Sequence, residues 1–206
     1  MCGIAGLIHK GKTVNIGKEL QDMLQALKHR GPDSTGYALY GEGESDNYIM
    51  RFKVGENVKE GSTAVNEDKS VYGARRKEVD QHIRDLGANI LQDQQLTPYS
   101  FRYVIKYDKD LMEFSKRIES VEMTEILSLG KTLELVKDIG DATAVSKQYG
   151  LDKIKGTHAI GHSRMATESG VDIRSAHPFW GYPFSDVSVV HNGQLTNYWN
   201  NRRVLE

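Results

Sequence analysis

The chain has 206 residues, enough for one domain with an insert or for two small domains that bury a core without disulfides. Charged residues make up 27% of the chain and nearly cancel to a net charge of −1, which excludes a strongly charged surface for nucleic acid or anionic membrane. The single cysteine excludes an internal disulfide, no secretory leader precedes the folded pattern, and no apolar run is long enough for a membrane span, so we expect a cytoplasmic protein.

The first 45 residues predict a strand, a helix and a second strand. The run from Gly3 to Ile8 is short and apolar, as is typical of a strand. Four apolar residues then recur at helical spacing: Leu20, Met23, Leu24 and Leu27. The helix is expected to end at Gly31-Pro32, and Tyr37 to Tyr40 predicts the next strand.

Charged helices with narrow apolar stripes alternate with short strands from about residue 46 to residue 135. Strands are predicted at 47–53, 89–91, 101–107 and 121–129. Helices are predicted through Val79, Ile83 and Leu86, and after a cap at Asp108. The order β-α-β-β-α-β is that of ferredoxin-like modules, so we predict an inserted subdomain. The alternative, that these elements extend the main sheet, stays open.

The last 70 residues predict two helices and two strands. Asp141 to Tyr149 has the pattern of a helix that Gly150 ends. Strands are predicted at 157–164 and 187–191. Thr196 can cap a final helix that runs into Glu206.

The start of the chain matches the phosphate-loop pattern G-x-x-x-x-G-K-T at Gly6, Gly11, Lys12 and Thr13. That loop needs a buried strand before it and a helix that starts at the lysine. Too few residues precede the first glycine, and the residues after Thr13 do not start a helix. We therefore reject nucleotide binding at this position.

Cys2 directly follows Met1 and is the only cysteine. A free thiol has a pKa of about 8.5, so a nucleophilic cysteine needs a base. If Met1 is removed, which the small side chain of Cys2 permits, the freed α-amine has a pKa of about 8 and lies on the same residue as the sulfur. The amine then replaces the usual histidine as the base. The alternative reading of a lone cysteine is a small buried hydrophobic residue.

Three polar clusters stand where predicted elements end, at residues 29–34, 161–167 and 191–193. An acyl-transfer site needs a fixed cation for a substrate carboxylate and N–H donors for a tetrahedral oxyanion. Arg164 can supply the cation, and the side-chain amide of Asn192 with the backbone N–H of Gly193 can supply the donors. Taken singly, the arginine also fits a surface ion pair and the Asn-Gly pair a hairpin turn. Their combination with Cys2 favours the site.

Four motifs occur in a fixed order along the chain: MCGIAG, HRGPDSTG, GTHAIGHSRMATE and VVHNGQLTN. With these motifs the chain resembles the class II glutamine amidotransferases, which are Ntn hydrolases with an α+β fold, a four-layer αββα sandwich. The motifs cover residues 1–45 and 136–206, the expected glutaminase domain, and leave 46–135 as the inserted subdomain. The insert and the sequence LVKDIGD look most like the stand-alone amidotransferase subunits of glutamate synthase-like and N-methylglutamate synthase-like enzymes.

The resemblance implies a catalytic role for three residues. After removal of Met1, Cys2 would attack the side-chain amide of glutamine. Asn192 and Gly193 would form the oxyanion hole, and Gly193 would also contact the substrate. The products would be glutamate and ammonia, and the ammonia would pass to a partner synthase, expected to be glutamate synthase-like.

The resemblance also implies binding and supporting roles. Arg164 would pair with the glutamine α-carboxylate in a bidentate geometry that lysine cannot reproduce, and Thr167 would add a hydroxyl contact. Arg30 and Asp33 would support the loop around the nucleophile.

One departure from the family concerns the acidic residue that holds the glutamine α-amino group downstream of the Asn-Gly pair. No such motif occurs before Glu206. We therefore expect an N-terminal fragment that lacks the last strands and helix of the sandwich. The alternative is a catalytically impaired regulatory or docking subunit of a glutamate synthase-like complex.

We expect no metal and no cofactor in this chain, and a flavin or iron–sulfur cluster, if present, would belong to a partner subunit. His158 and His162 lie four residues apart but in a predicted strand and without a glutamate between them, which argues against zinc. The segment His177-Pro178-Phe179 is interpreted as structural.

Overall fold

The computed structural model describes residues 2–31, 33–43, 46–56, 70–165, 173–193 and 196–205, and these form a mixed α+β fold. The strands are β1 (Gly3–Ile8), β2 (Ser34–Gly41), β3 (Tyr48–Lys53), β4 (Asn89–Gln95), β5 (Ser100–Lys106), β6 (Glu125–Gly130), β7 (Leu133–Ile139), β8 (Gly156–Arg164), β9 (Phe179–Trp180) and β10 (Ser188–Val189). The helices are α1 (Ile16–Ala26), α2 (Ser70–Asp85), α3 (Leu111–Glu119), α4 (Ala142–Tyr149) and α5 (Tyr198–Leu205). None of these helices has the length and apolar character that crossing a membrane requires.

Sheet A joins the start of the chain to its later part. Its strand order is β1-β8-β2-β7, and neighbouring strands are antiparallel. Gly3 lies opposite Ser163, and Ser34 lies opposite Arg164. The first residues of β1 and β2 and the last residues of β8 therefore meet at one end of the sheet.

Helices α1 and α4 cover one face of sheet A. Ile16, Leu20 and Leu24 recur every four residues along α1 and are fully buried, as the helical spacing predicted. The helix lies so close to β8 that a Cβ at Gly161 would be 2.6 Å from Cδ1 of Leu24. Met23, which the same spacing included, is 39% exposed. The buried stripe is thus narrower than the apolar pattern.

The bounds predicted for α4 are confirmed. Asp141 caps the helix by accepting a hydrogen bond from the N–H of Ala144 at 2.9 Å. Gly150 ends it in the left-handed region, with φ 64°. Tyr37 of β2 donates its hydroxyl to the carbonyl oxygen of Ala142 at 2.6 Å, which fixes the start of α4 on sheet A.

Sheet B is built from residues 48–130 and has the strand order β4-β5-β3-β6, again antiparallel. Helices α2 and α3 pack on one face over a core rich in aromatic side chains. Its members include Met50, Phe52, Tyr72, Val79, Ile83, Phe101, Tyr103, Ile105, Phe114 and Ile118. Phe101, Tyr103 and Ile105 all face this core, because alternate residues of a strand lie on the same face of the sheet.

Several predicted bounds need correction. Helix α3 is capped by Asp110 rather than Asp108, because Oδ1 of Asp110 accepts the N–H of Met112 at 2.7 Å. β6 begins at Glu125, since residues 121–124 form a turn. β4 extends to Gln95, and the strand expected at 187–191 shortens to the two residues of β10.

The sequence pattern does not predict β7, and the predicted domain boundary between residues 135 and 136 falls inside it. Lys137 and Asp138 interrupt the apolar pattern there, yet both are buried. Lys137 pairs with Glu125 at 3.0 Å, and Asp138 accepts the hydroxyl of Tyr99 at 2.6 Å. Partners from other elements therefore let these charged residues occupy a buried strand.

Phosphate-loop geometry is missing from the described residues 2–31. Gly6 lies within β1, Gly11 forms a turn with φ 68°, and α1 begins only at Ile16. The helix that a phosphate loop requires at its lysine therefore does not start at Lys12.

A row of charged side chains, four of them buried and two half-buried, connects β7 to sheet B. We call it the charged seam, and its members are Arg51, Lys53, Arg102, Glu125, Glu134 and Lys137. Oε2 of Glu134 accepts Nε–H of Arg51 and of Arg102, each at 2.8 Å. Burial alone would raise the pKa of Glu134, but the charges of the two arginines outweigh it and lower this pKa to about 2.

Residues 173–193 cross the other face of sheet A. A Cβ at Gly36 of β2 would lie 2.0 Å from the carbonyl oxygen of His177, so the two backbones are in direct contact. Asp186 ties the segment to the β6–β7 turn by accepting the N–H groups of Thr132 at 2.7 Å and Leu133 at 2.8 Å. Burial alone would raise the pKa of Asp186, but these donors hold it below its ordinary value.

Candidate active site

Cys2 immediately precedes β1, at the end of sheet A where β8 finishes. Its Sγ lies 4.0 Å from the carbonyl oxygen of Met165, the residue that follows β8. The antiparallel pairing of Gly3 with Ser163 produces this proximity, because one more step along each strand reaches Cys2 and Arg164. The half-buried thiol is therefore at a strand terminus and not in a core.

Arg164 is the last residue of β8 and is only 7% exposed. Its carbonyl oxygen accepts the N–H of Asp33 at 3.2 Å. A Cβ at Gly31 would lie 2.4 Å from its carbonyl carbon, so only glycine fits there without movement. The tight backbone packing fixes the position from which the guanidinium extends.

The two residues expected to support the loop, Arg30 and Asp33, flank this contact. Arg30 ends a 3₁₀ turn (Lys28–Arg30), and a Cβ at Gly3 would lie 3.4 Å from the Cβ of Arg30. Asp33 accepts the N–H of Gly140 with its carbonyl oxygen at 3.0 Å, in addition to its bond to Arg164. The segment therefore links β1, β7 and β8 next to Cys2.

Asn192 reaches the same point from a distant part of the chain. Its Nδ2 donates a hydrogen bond to the carbonyl oxygen of Cys2 at 3.0 Å, across 190 positions of sequence. A primary amide carries a second N–H beyond the one that this bond uses. Gly193 follows directly, and a Cβ there would lie 3.0 Å from Nε2 of His191. The structure thus brings Cys2, Arg164, Asn192 and Gly193 to one end of sheet A.

Thr167, the remaining residue of the predicted site, lies outside the described residues. Within the described part of the chain, no group of three or more histidine, cysteine, aspartate or glutamate side chains is arranged to hold a metal ion.

Three histidines that the sequence reasoning did not assign to the site lie beside it. The ring centroids of His162 and His177 are 5.0 Å apart, and those of His177 and His191 are 6.4 Å apart. His191 donates its backbone N–H to Nδ1 of His177 at 3.2 Å. Their positions in the sequence could have indicated that they lie near the site. His162 is two residues before Arg164 and on the same face of β8, and His191 precedes Asn192.

Two of these histidines are held neutral. Burial lowers the pKa of His162 and of His177, and together with the effects of a neighbouring histidine and Arg164 it brings each pKa to about 4. Neither ring nitrogen of His162 makes a hydrogen bond of ordinary geometry within the described part of the chain. At neutral pH, His162 and His177 therefore add no positive charge to that of Arg164 and nearby Lys137.

The arrangement has the parts of an acyl-transfer site. It contains a thiol at a strand terminus, a buried arginine next to it, and an amide donor held against the backbone of the thiol residue. Acyl transfer requires N–H donors beside the nucleophile, and the amide of Asn192 is a donor that contacts the backbone of Cys2. Sequence reasoning named these residues, and the fold brings them together.

Comparison with known proteins gives two relatives that align along the whole chain. A "Putative glutamine amidotransferase" of Methanothermobacter thermautotrophicus is 36% identical over 211 residues, covering 100% of this chain and 65% of the relative. A "Glutamine amidotransferase-like protein GlxB" of Rhizobium meliloti is 31% identical over 216 residues, covering 100% of this chain and 62% of the relative. The chain therefore spans slightly less than two thirds of the length of each.

A shorter similarity extends to a larger enzyme. A "Glutamine--fructose-6-phosphate aminotransferase [isomerizing]" of Methanococcus maripaludis is 33% identical over 103 residues, covering 48% of this chain and 17% of the relative. No family model matches the chain.

Proposed function

Because the chain is homologous over its whole length to proteins named as glutamine amidotransferases, we propose that it hydrolyses glutamine to glutamate and ammonia with Cys2 as the nucleophile. The observation that carries the proposal is the 3.0 Å hydrogen bond from Nδ2 of Asn192 to the carbonyl oxygen of Cys2. It joins the proposed nucleophile to the proposed oxyanion donor, which are the two parts that acyl transfer requires side by side.

Removal of Met1 gives Cys2 a free α-amine. This amine takes the thiol proton, and the thiolate attacks the side-chain amide carbon of glutamine. The C–N bond of the tetrahedral intermediate then breaks, the ammonium group of Cys2 returns a proton to the departing ammonia, and a thioester remains. Water hydrolyses the thioester to glutamate and regenerates the thiol.

Asn192 and Gly193 stabilise the oxyanion of each tetrahedral intermediate. One N–H of the Asn192 amide holds the carbonyl of Cys2, and the other is directed to the substrate together with the backbone N–H of Gly193. A donor of this kind contributes about 2.7–4 kcal/mol to the transition state in comparable sites.

Arg164 binds the α-carboxylate of glutamine, and Thr167 adds a hydroxyl contact. The burial of Arg164 and its fixed backbone favour this role, because a preorganised guanidinium recognises a carboxylate in a bidentate geometry. Arg30 and Asp33 hold the loop on which this geometry depends.

We also propose the finer architecture. Sheet A with α1 and α4 forms the glutaminase part of a four-layer αββα sandwich, and residues 46–130, which contain sheet B, form a ferredoxin-like insert. The boundary predicted between residues 135 and 136 moves to the β6–β7 turn, because β7 belongs to sheet A. The helices on one face of sheet A support the first assignment. The strand order β4-β5-β3-β6 with two helices on one face supports the second, since a split β-α-β module has this order.

The ammonia is proposed to serve a partner synthase in the cytoplasm. The motif resemblance favours a glutamate synthase-like or N-methylglutamate synthase-like partner. Any flavin or iron–sulfur cluster of the complex would belong to that partner.

Intact mass and ammonia release test the proposal together. The mass of the purified protein should correspond to the chain without Met1, and glutamine should yield ammonia. Cys2→Ala should lower the rate at least about a thousandfold while the thermal unfolding midpoint stays the same.

Retention of Met1 would block the amine as an amide and remove the proposed base. Equal rates of ammonia release from the wild type and from Cys2→Ala would overturn the enzymatic role. That outcome would favour the alternative, a regulatory or docking subunit.

A further inference from the structure

The turn formed by His191, Asn192 and Gly193 has little support from sheet structure. β10 ends at Val189, and the three turn residues are exposed. A side chain that donates to an oxyanion must nevertheless be held in place before the substrate arrives, because a displacement of about 1 Å at a reacting centre can lower the rate a hundredfold. The described contacts of this turn therefore identify what holds it.

Two hydrogen bonds among the described residues link the turn to the rest of the protein. Nδ2 of Asn192 donates to the carbonyl oxygen of Cys2 at 3.0 Å, and the backbone N–H of His191 donates to Nδ1 of His177 at 3.2 Å. The first bond fixes the side chain of Asn192, and the second fixes the backbone just before it. Together they fix the backbone next to Asn192 and the amide group at the end of its side chain.

His177 is itself rigidly placed. Its carbonyl oxygen would be 2.0 Å from a Cβ at Gly36, so its backbone rests directly on β2. Its ring lies between His162, at a centroid distance of 5.0 Å, and Phe179, at 4.5 Å. His177 therefore links the turn to sheet A: its backbone contacts β2, and its ring accepts the N–H of His191.

The bond from His191 defines the tautomer of His177. Nδ1 accepts a hydrogen bond only when it carries no proton, so the imidazole is neutral with its hydrogen on Nε2. The titratable and charged groups that face the ring are His162, His191, Lys137 and Arg164. Burial and these neighbours lower the pKa of His177 to about 4, which keeps the acceptor available at neutral pH.

We propose that His177 is a positioning residue for glutamine hydrolysis: by accepting the N–H of His191 it holds the donors of Asn192 and Gly193 over Cys2. The inference rests on the proposed function. His177 does not touch the substrate. It acts through the backbone of the turn, and its removal lowers kcat because the oxyanion donors lose their alignment.

Two substitutions at position 177 distinguish the effect of the hydrogen-bond acceptor from the effect of side-chain packing. His177→Asn places Oδ1 close to the position of Nδ1 and keeps an acceptor, whereas His177→Leu keeps a side chain of similar size without one. We expect His177→Leu to lower kcat about 10- to 100-fold with KM within about twofold of wild type, and His177→Asn to stay within about threefold in kcat.

A matched control is His158→Leu. His158 lies on the same face of β8 but about 20 Å from the end of the strand, six residues before Arg164. Its ring stacks on Tyr40 with a centroid distance of 4.0 Å and does not contact the turn. Its kcat should remain at the wild-type value.

Amide hydrogen exchange at His191, followed by NMR on the full chain, measures the hydrogen bond without reference to activity. Exchange should be slow in the wild type and in His177→Asn, and about tenfold faster in His177→Leu. This measurement stays informative in the wild type even if a variant fails to fold.

Three results would overturn the inference: equal loss of kcat in the asparagine and leucine variants, a change in KM alone, or an exchange rate at His191 that does not depend on residue 177. A wild-type protein without glutaminase activity would instead contradict the proposed function. The exchange rate at His191 would then decide alone whether His177 holds the turn.

Discussion

The charged seam and the candidate active site are both polar regions, but they are built differently. Most side chains of the seam are buried, whereas in the site Arg164 is buried, Cys2 is half-buried and Asn192 is exposed. In the seam, carboxylates neutralise cations directly: Glu134 lies between Arg51 and Arg102, and Glu125 lies between Lys53 and Lys137. In the active site, single hydrogen bonds from remote segments fix Cys2 and Asn192, and the adjacent histidines stay neutral.

The difference follows from what each region does. Removal of one partner of a buried ion pair leaves the other charge uncompensated, so the contact between the sheets depends on the seam being intact. A catalytic site requires donors and a cation whose capacity is not fully used by the protein. Substitutions in the seam should therefore change stability and spare hydrolysis, whereas substitutions in the site should do the reverse.

The largest expected effect is in the seam. Glu134→Gln leaves Arg51 and Arg102 buried without their carboxylate, so the free energy of unfolding should fall by about 3–5 kcal/mol in guanidinium titrations. The pair of Arg75 and Glu122 provides the control, since the side chain of Glu122 is 83% exposed and Glu122→Gln should cost less than about 1 kcal/mol. A loss of hydrolysis per folded molecule in Glu134→Gln would break the division between the two regions.

The next effect tests the site. Asn192→Ala removes the donor next to Cys2, so kcat should fall about 100- to 1,000-fold with only a small change in KM. The free energy of unfolding should change by less than about 1.5 kcal/mol, because a single exposed hydrogen bond is lost. Asn201→Ala in the exposed helix α5 should match the wild type in both measurements. An unchanged kcat in Asn192→Ala would contradict the assignment of the oxyanion donor.

The contribution of Glu134 to the free energy of unfolding should decrease as the pH falls. The pKa of Glu134 is near 4.5 when unfolded and about 2 when folded, so its contribution is complete above about pH 4.5 and is lost as pH falls through about 2. The loss amounts to about 3 kcal/mol. Urea titrations between pH 5 and 3 should show the difference between wild type and Glu134→Gln narrowing as pH falls, and a constant difference would contradict the lowered pKa.

The smallest effect concerns the anchor of residues 173–193. Asp186 has φ 58°, a conformation that asparagine also tolerates, so Asp186→Asn removes the charge without straining the backbone. The free energy of unfolding should fall by about 1–2 kcal/mol, and the amides of Thr132 and Leu133 should exchange faster. Asp85→Asn at the exposed end of α2 should change stability by less than about 0.5 kcal/mol. An unchanged exchange rate at Thr132 would show that the carboxylate of Asp186 does not hold the β6–β7 turn.

Local patterns in the sequence predicted most elements of this protein. β1 and α4 have the predicted bounds, because an apolar run, an aspartate cap and a left-handed glycine act over a few residues. β7 was missed because Lys137 and Asp138 are buried by partners that lie on β6, α4 and the β4–β5 turn. No window along the chain contains those partners.

In the candidate site, too, the sequence predicts what depends on single residues and misses what depends on distant contacts. Motif order identified Cys2, Arg164, Asn192 and Gly193, since their chemistry can be recognised one residue at a time. His177 was interpreted as structural, because its role depends on an N–H group 14 residues away and on the contact of its backbone with Gly36.

The sequence by itself determined which groups this protein has for chemistry and where most of its helices and strands lie, because both depend on side-chain type and short-range spacing. Only the tertiary structure decided which of those groups meet. Antiparallel pairing of β1 with β8 brings Cys2 to the end of the strand that carries Arg164, and a segment crossing sheet A brings Asn192 within 3.0 Å of the carbonyl of Cys2. Register and packing set such contacts, and they act between residues that the chain separates by up to 190 positions.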